Sequence, residues 1–255
     1  MNLFQSIQQA QQELANVVPA TPLTENLNLS EEFGATILLK REDLQVVRSY
    51  KIRGAYNKIK SLTESEKTNG IVCASAGNHA QGVAYSCHLL QIQGKIYMPK
   101  TTPNQKVKQV QLFGKKWVEI VLTGDTFDDA YAKAVADAKD NQKAFIHPFD
   151  DEKVIAGQGT VGLEIVEQYQ QPIDYVFVPI GGGGLASGLS TVFKHLSPNT
   201  KIIGVEPQGA PSMKTSIANQ ANTPLDTIDK FVDGAAVKQV GNQTFAICQK
   251  NLDDI

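Results

Sequence analysis

From Ile71 onward the chain alternates short apolar runs with amphipathic stretches, and this alternation restricts it to one class of fold. Ile71–Ala74 and residues 95–98, 117–122 and 144–146 have strand length and strand composition. Between them, residues 78–91 and the series Phe127, Ala130, Tyr131, Ala134, Val135 and Ala138 follow helical spacing. A further helix is expected to start with Thr102 as cap and Pro103 at its first position, running to Phe113. Apolar strands alternating with helices imply a parallel sheet covered on both faces.

The segment His147-Pro148-Phe149-Asp150-Asp151 breaks this rhythm. A second α/β run follows, with a helix over about 154–169, strands at 175–178 and 201–205, and a helix between those strands. Upstream, Leu3, Ile7, Ala10 and Leu14 mark a helix over 3–15. Residues 17–23 are proline-punctuated and extended, and residues 36–40 form a short strand that runs into Arg41-Glu42-Asp43. The expected architecture is α/β: two doubly wound, mostly parallel lobes. The smaller covers 46–147, and the larger joins 1–45 to 148–255. A last helix over 245–252 is followed by only three residues, so the chain reads as cut short.

Composition narrows the function. With 42% apolar and 20% charged residues, the 255-residue chain can bury a sizeable core. A net charge of −2, with Lys and Arg scattered along the chain, supports neither a nucleic-acid footprint nor a membrane-surface patch. Three cysteines (Cys73, Cys87 and Cys248) with no C-x-x-C pair point to a reducing compartment. The N-terminus lacks a basic, apolar leader, and no run reaches the ~20 apolar residues of a membrane helix. A cytoplasmic protein is expected. His79, His88, His147 and His195 show no metal-ligand spacing, so no metal site is expected.

Three constellations carry chemistry. In the first, the apolar run ending at Val178-Pro179-Ile180 enters Gly181-Gly182-Gly183-Gly184-Leu185 and then a helix through Ala186, Leu189 and Val192. Glycines let backbone N–H groups approach an anion, and the helix adds its N-terminal dipole. A plain turn needs fewer glycines, and four in a row are entropically costly. The second, Ser75-Ala76-Gly77-Asn78-His79, lies where a strand passes into a helix. It offers a hydroxyl, free backbone and an amide for a carboxylate or a ring oxygen, although ordinary helix capping explains Ser and Asn equally well. The third is Lys51, in Ser49-Tyr50-Lys51-Ile52-Arg53-Gly54. Ile52, Ala55, Tyr56, Ile59 and Leu62 place it at a helix N-terminus, where the dipole together with Arg53 would lower its pKa. A neutral amine attacks an aldehyde, so lysine, phosphate seat and asparagine turn suggest pyridoxal phosphate held as a Schiff base. Spacing alone does not separate Lys51 from an exposed surface lysine. Gly157-Gln158-Gly159-Thr160-Val161-Gly162 matches a dinucleotide fingerprint, but no strand precedes it. A closely packed helix N-terminus explains it better than a nicotinamide site.

Taken in order, these segments resemble a known family. Leu39-Lys40-Arg41-Glu42-Asp43-Leu44-Gln45, Ser49–Ala55, Ala74–Gly82, Ile155–Thr160, Pro179–Leu185 and Gly234-Ala235-Ala236-Val237 resemble the fold-type II pyridoxal-phosphate enzymes, with the tryptophan synthase β-like fold. Within them they are most similar to the biosynthetic threonine dehydratases (threonine ammonia-lyases). The resemblance implies pyridoxal 5'-phosphate bound to Lys51, its ring hydroxyl on Asn78 and its phosphate on Gly181, Gly182, Gly183, Gly184 and Leu185. It implies a substrate carboxylate on Ser75 and the backbone of Ala76, Gly77 and His79. The implied reaction removes water from L-threonine and yields 2-oxobutanoate and ammonia, the first step of isoleucine biosynthesis, in a homo-oligomer acting on a small amino acid. Serine racemase and catabolic serine/threonine dehydratase would use the same residues, and an inactive or partner-dependent fragment is a third alternative. Tyr50 stands where the family usually has Phe. The family's hydroxyl partner for the pyridine nitrogen and its isoleucine-sensing C-terminal domain would lie past Ile255.

Overall fold

Asn2 starts the first helix with a capping box: its side-chain oxygen accepts the Gln5 N–H at 2.9 Å, and the Gln5 side chain accepts the Asn2 N–H at 3.1 Å. The computed structural model describes residues 1–255. Helix α1 (Leu3–Leu14) buries Ile7, Ala10 and Leu14, the face its spacing predicts. Strand β1 (Leu23–Glu25), helix α2 (Leu27–Phe33) and strand β2 (Leu38–Lys40) follow, with β1 and β2 antiparallel. Neither β1 nor α2 is legible in the sequence. Each is shorter than the window a periodicity needs, and α2 ends on Gly34 at φ 61°.

Helix α3 (Lys51–Lys60) leads through α4 (Glu64–Asn69) into β3 (Ile71–Ala74), α5 (Asn78–Leu90), β4 (Gly94–Met98), α6 (Asn104–Gly114), β5 (Val118–Leu122), α7 (Phe127–Asp140) and β6 (Ala144–Phe145). The four strands are all parallel, in the order β5-β4-β3-β6. Alternate strand residues feed opposite faces. Ile71 and Cys73 join a core with Ile59 of α3 and Ala80, Val83 and Cys87 of α5, while Val72 and Ala74 pack on Ala130 and Ala134 of α7. The start of α6 corrects the expectation. Pro103, at φ −55° and ψ 136°, is the residue before the helix rather than its first position, and Thr102 caps nothing: its buried Oγ1 has no partner.

Helix α8 (Glu152–Gln168), β7 (Tyr175–Pro179), α9 (Gly184–Leu196), β8 (Lys201–Val205), α10 (Ser212–Ala218) and α11 (Asn242–Asn251) complete the chain. Strands β7 and β8 pair in parallel, and Asp254 bridges to Ile203 of β8. The core beneath them, with Val161, Ile180, Leu189, Phe193, Ile202 and Cys248, is separate from those of the four-stranded sheet. The 157–162 glycines lie inside α8, not at its N-terminus. They are there for close packing. A Cβ on Gly157 would lie 2.5 Å from the Arg53 carbonyl oxygen, and one on Gly188 would lie 2.6 Å from the Gly159 nitrogen. Helix α8 thus touches backbone on both α3 and α9. No helix is long and apolar enough to cross a membrane.

Candidate active site

The four-stranded sheet has a topological switch point. From β3 the chain steps outward through β4 to β5, then α7 carries it back to β6 on the other side of β3. Loops leaving the carboxyl ends of β3 and β6 therefore face one crevice, the usual ligand position in open α/β sheets. Those loops are 75–77 and 146–151.

Ser75 is half-buried, its N–H donating to the Tyr97 oxygen at 3.1 Å and its Oγ accepting the Gly77 N–H at 3.2 Å. Asn78 and His79 are the first two residues of α5. The N–H groups of Ala76, Asn78 and His79 have no protein acceptor. Asn78 is exposed with its amide free of hydrogen bonds, whereas His79 is buried. The His79 Nε2 lies 2.9 Å from the Ile146 oxygen and must carry the ring proton to bond with that carbonyl, which leaves the buried Nδ1 unprotonated and unpartnered. Burial first, and the nearby Lys51 charge second, lower the His79 pKa to about 3.

Lys51 is the first residue of α3 and half-buried. Its carbonyl group abuts Gly82 of α5, where an added Cβ would sit 3.1 Å from the oxygen. The Lys51 Nζ donates to the Pro148 oxygen at 2.8 Å. Loss of hydration lowers its pKa to about 8. Arg53 does not act on this amine as the sequence suggested. Its guanidinium turns away and is neutralised: Nε and Nη2 donate to the Glu42 carboxylate at 2.8 and 2.7 Å, and Nη1 donates to Glu164 at 2.6 Å and to Thr160 at 3.0 Å. Lys40 joins Glu164, so two cations and two carboxylates form a buried, neutral cluster that ties α3 and β2 to α8.

The glycine turn connects β7 to α9. None of the N–H groups of Gly181, Gly182, Gly183, Gly184 or Leu185 donates to a protein acceptor, although all but Gly181 are buried. Buried N–H groups are nearly always paired, so a row of free ones at a helix N-terminus is a ready anion seat. Space there is spoken for. A Cβ on Gly182 would lie 2.2 Å from the Phe149 ring, and Gly183 has φ +92°.

In the sequence, 147–151 reads only as a break, yet this segment joins the parts. Pro148 receives Lys51, Phe149 lies against Gly182 and Gly184, and His147 Nδ1 accepts the Asp150 N–H at 2.7 Å. Main-chain carbonyls carry no sequence signature, and the switch point is the only clue that could have placed this segment here. No group of three His, Cys, Asp or Glu side chains is placed to hold a metal ion.

An amine with a lowered pKa, a seat of unpaired N–H groups for a phosphate and a second helix N-terminus for a carboxylate together fit pyridoxal phosphate and an amino acid. A profile of the family "Pyridoxal-phosphate dependent enzyme" matches residues 14–255. The chain is 59% identical over 246 residues to the L-threonine dehydratase biosynthetic IlvA of Halalkalibacterium halodurans, covering 96% of this chain and 59% of that protein. Among solved structures, the processed form of threonine deaminase isoform 2 from Solanum lycopersicum superposes with a TM-score of 0.95 at 44% identity, covering 99% of this chain and 69% of that one. Maize serine racemase gives a TM-score of 0.92 at 31% identity, covering 98% and 76%. The chain spans about 59% of the length of the curated relative. It belongs to the pyridoxal-phosphate dependent enzymes of fold type II.

Proposed function

We propose that this chain is the catalytic part of a threonine ammonia-lyase, converting L-threonine to 2-oxobutanoate and ammonia. The observation that carries the reading is Lys51, a half-buried amine whose pKa falls to about 8, in a chain 59% identical to a protein named as a threonine dehydratase. Lys51, Asn78 and the N–H groups of Gly181, Gly182, Gly183, Gly184 and Leu185 would hold the cofactor. Ser75, with the N–H groups of Ala76, Gly77 and His79, would hold the substrate carboxylate. The lobes would divide at 46–147 against 1–45 with 148–255, as the separate cores of the four-stranded sheet and of the β7-β8 pair suggest. A cytoplasmic homo-oligomer completes the reading.

Pyridoxal phosphate, when bound, supplies an aldehyde that captures an amine and a ring that withdraws electrons from the α-carbon. The protein's part is proton handling and orientation. The N-terminus of α5 turns the carboxylate, fixing which face of the α-carbon is presented. Lys51 Nζ, neutral over a useful fraction near pH 8, accepts the α-proton. The Pro148 oxygen steadies the resulting ammonium. Loss of the β-hydroxyl as water, then hydrolysis of the released enamine, gives the oxo acid and ammonia.

The test is turnover of L-threonine and L-serine with the oxo acids and ammonia quantified, together with borohydride fixation and peptide mass. Label on Lys51 and 2-oxobutanoate from threonine are expected. Label on another lysine, or racemised serine as the sole product, would overturn the reading.

A further inference from the structure

Helix α11 lies behind the glycine turn and meets it at the Gly182 carbonyl, which accepts the Thr244 hydroxyl and, at a longer 3.4 Å, the Gly241 N–H. Thr244 is fully buried, and its Oγ1 donates to the Gly182 oxygen at 2.7 Å, shorter than its 3.2 Å approach to the oxygen of Gly241, the residue before its helix. The hydroxyl has one proton, so the shorter contact takes it. The peptide that follows Gly182 is trans, as are all peptides in the chain. In a planar trans peptide the C=O and the next N–H point in opposite directions. Holding the Gly182 oxygen against α11 therefore aims the Gly183 N–H away from α11, into the row of N–H groups that have no protein acceptor. Gly183, at φ +92°, packs closely on the same helix: a Cβ there would lie 2.9 Å from the Thr244 Cβ and 2.8 Å from the Met213 Cε, so only glycine fits.

Thr244 is itself held by a residue 94 positions away. Gly241 precedes α11 and offers no capping side chain. The Asp150 carboxylate supplies the cap, accepting the N–H groups of Asn242 and Gln243 at 2.9 Å each and of Thr244 at 3.1 Å. Asp150 follows Pro148 and Phe149, so the strand of chain that receives Lys51 also sets the helix that aims the turn.

We infer that Thr244 is a positioning residue for the cofactor phosphate, orienting the Gly183 N–H through the Gly182 carbonyl, with Asp150 as the group that fixes Thr244. The inference rests on the phosphate lying on the glycine turn. It is tested by equilibrium dialysis of pyridoxal phosphate and of pyridoxal, which lacks the phosphate. Wild type should prefer the phosphate ester. Thr244→Val keeps the shape and removes the donor. It should weaken pyridoxal phosphate about five- to tenfold, the worth of one hydrogen bond, and leave pyridoxal unchanged. Thr244→Ser should restore the preference. Asp150→Asn should shrink the preference in the same direction, and it carries the test if the valine variant does not fold. Equal loss of both ligands, or a valine variant as selective as wild type, overturns the relay alone. A wild type that binds both ligands equally overturns the phosphate seat, and the relay with it.

Discussion

The Lys51 Nζ donates to the main-chain oxygen of Pro148 at 2.8 Å, across 97 positions of sequence. The contact joins the start of α3 to the loop that leaves β6 at the switch point. An ammonium that has lost its water is given one carbonyl in exchange, too little to restore an ordinary lysine pKa.

That imbalance has a sign. Lys51 is a base whose folded pKa, about 8, lies below its unfolded value of 10.5, so holding the charged form opposes folding below pH 8. The penalty is relieved as pH rises from 8 toward 10.5. Lys51→Met should therefore raise the stability of cofactor-free protein at pH 7 by roughly 1–3 kcal/mol, less than the full shift because the Pro148 bond is lost. The gain should fade by pH 10.5. Urea titrations across this range check it, and a gain that is constant with pH refutes it.

The Arg53 cluster behaves oppositely. Burial opposes ionisation of Glu42, but the hydrogen bonds and charge of Arg53 outweigh it and lower its pKa. That contribution to stability is present above the unfolded carboxylate value and is lost as pH falls through the lowered one. Arg53→Met strands Glu42 and Glu164 with Lys40 alone and should cost about 3–5 kcal/mol at pH 7. In the variant, protonation relieves the buried carboxylates, so its deficit against wild type should narrow toward pH 4 in chemical unfolding.

Two glycines that look alike in sequence should respond differently. Gly157→Ala drives a methyl to 2.5 Å from the Arg53 oxygen and 2.7 Å from the Gly54 Cα. Backbone cannot swing aside, and a loss of roughly 1–3 kcal/mol or more is expected. Gly77 has nothing within 4 Å of an added Cβ. On the proposed reading of this turn as the carboxylate seat, Gly77→Ala should melt within a few degrees of wild type yet raise KM for threonine, since no protein atom lies near the new methyl. Thermal melts and steady-state kinetics on both variants decide this.

His79 should not titrate between pH 5 and 8. Its pKa, lowered by burial to about 3, leaves it neutral, with the proton on Nε2 facing the Ile146 oxygen. Nitrogen-15 shifts of the ring should show that tautomer throughout. A midpoint near 6.5 would mean the ring reaches water.

Local chemistry was readable where neighbours in sequence decide it. Ile71–Ala74 and Lys201–Val205 lie where their apolar runs predicted, and the helices after the asparagine and glycine turns begin at Asn78 and Gly184, each without a side-chain cap. Pro103 was misplaced by one position because proline is acceptable on either side of a helix start and only ψ separates the two. The short helices α2 and α4 bury no residue and are held by local caps, Asn26 on the Leu29 N–H and a Thr63–Glu66 capping box, signals that a search for apolar periodicity passes over.

Residue types and their order thus determined the fold class, the family and the candidate lysine, because side-chain chemistry and period are written along the chain. Tertiary structure alone decided that burial, and not Arg53, lowers the Lys51 pKa, and that Arg53 belongs to a charge cluster. It also placed residues 146–150 between the lysine and the glycine turn. Those outcomes depend on carbonyls and desolvation across long sequence separations, and neither a main-chain oxygen nor the loss of water around an amine leaves a mark in the order of amino acids.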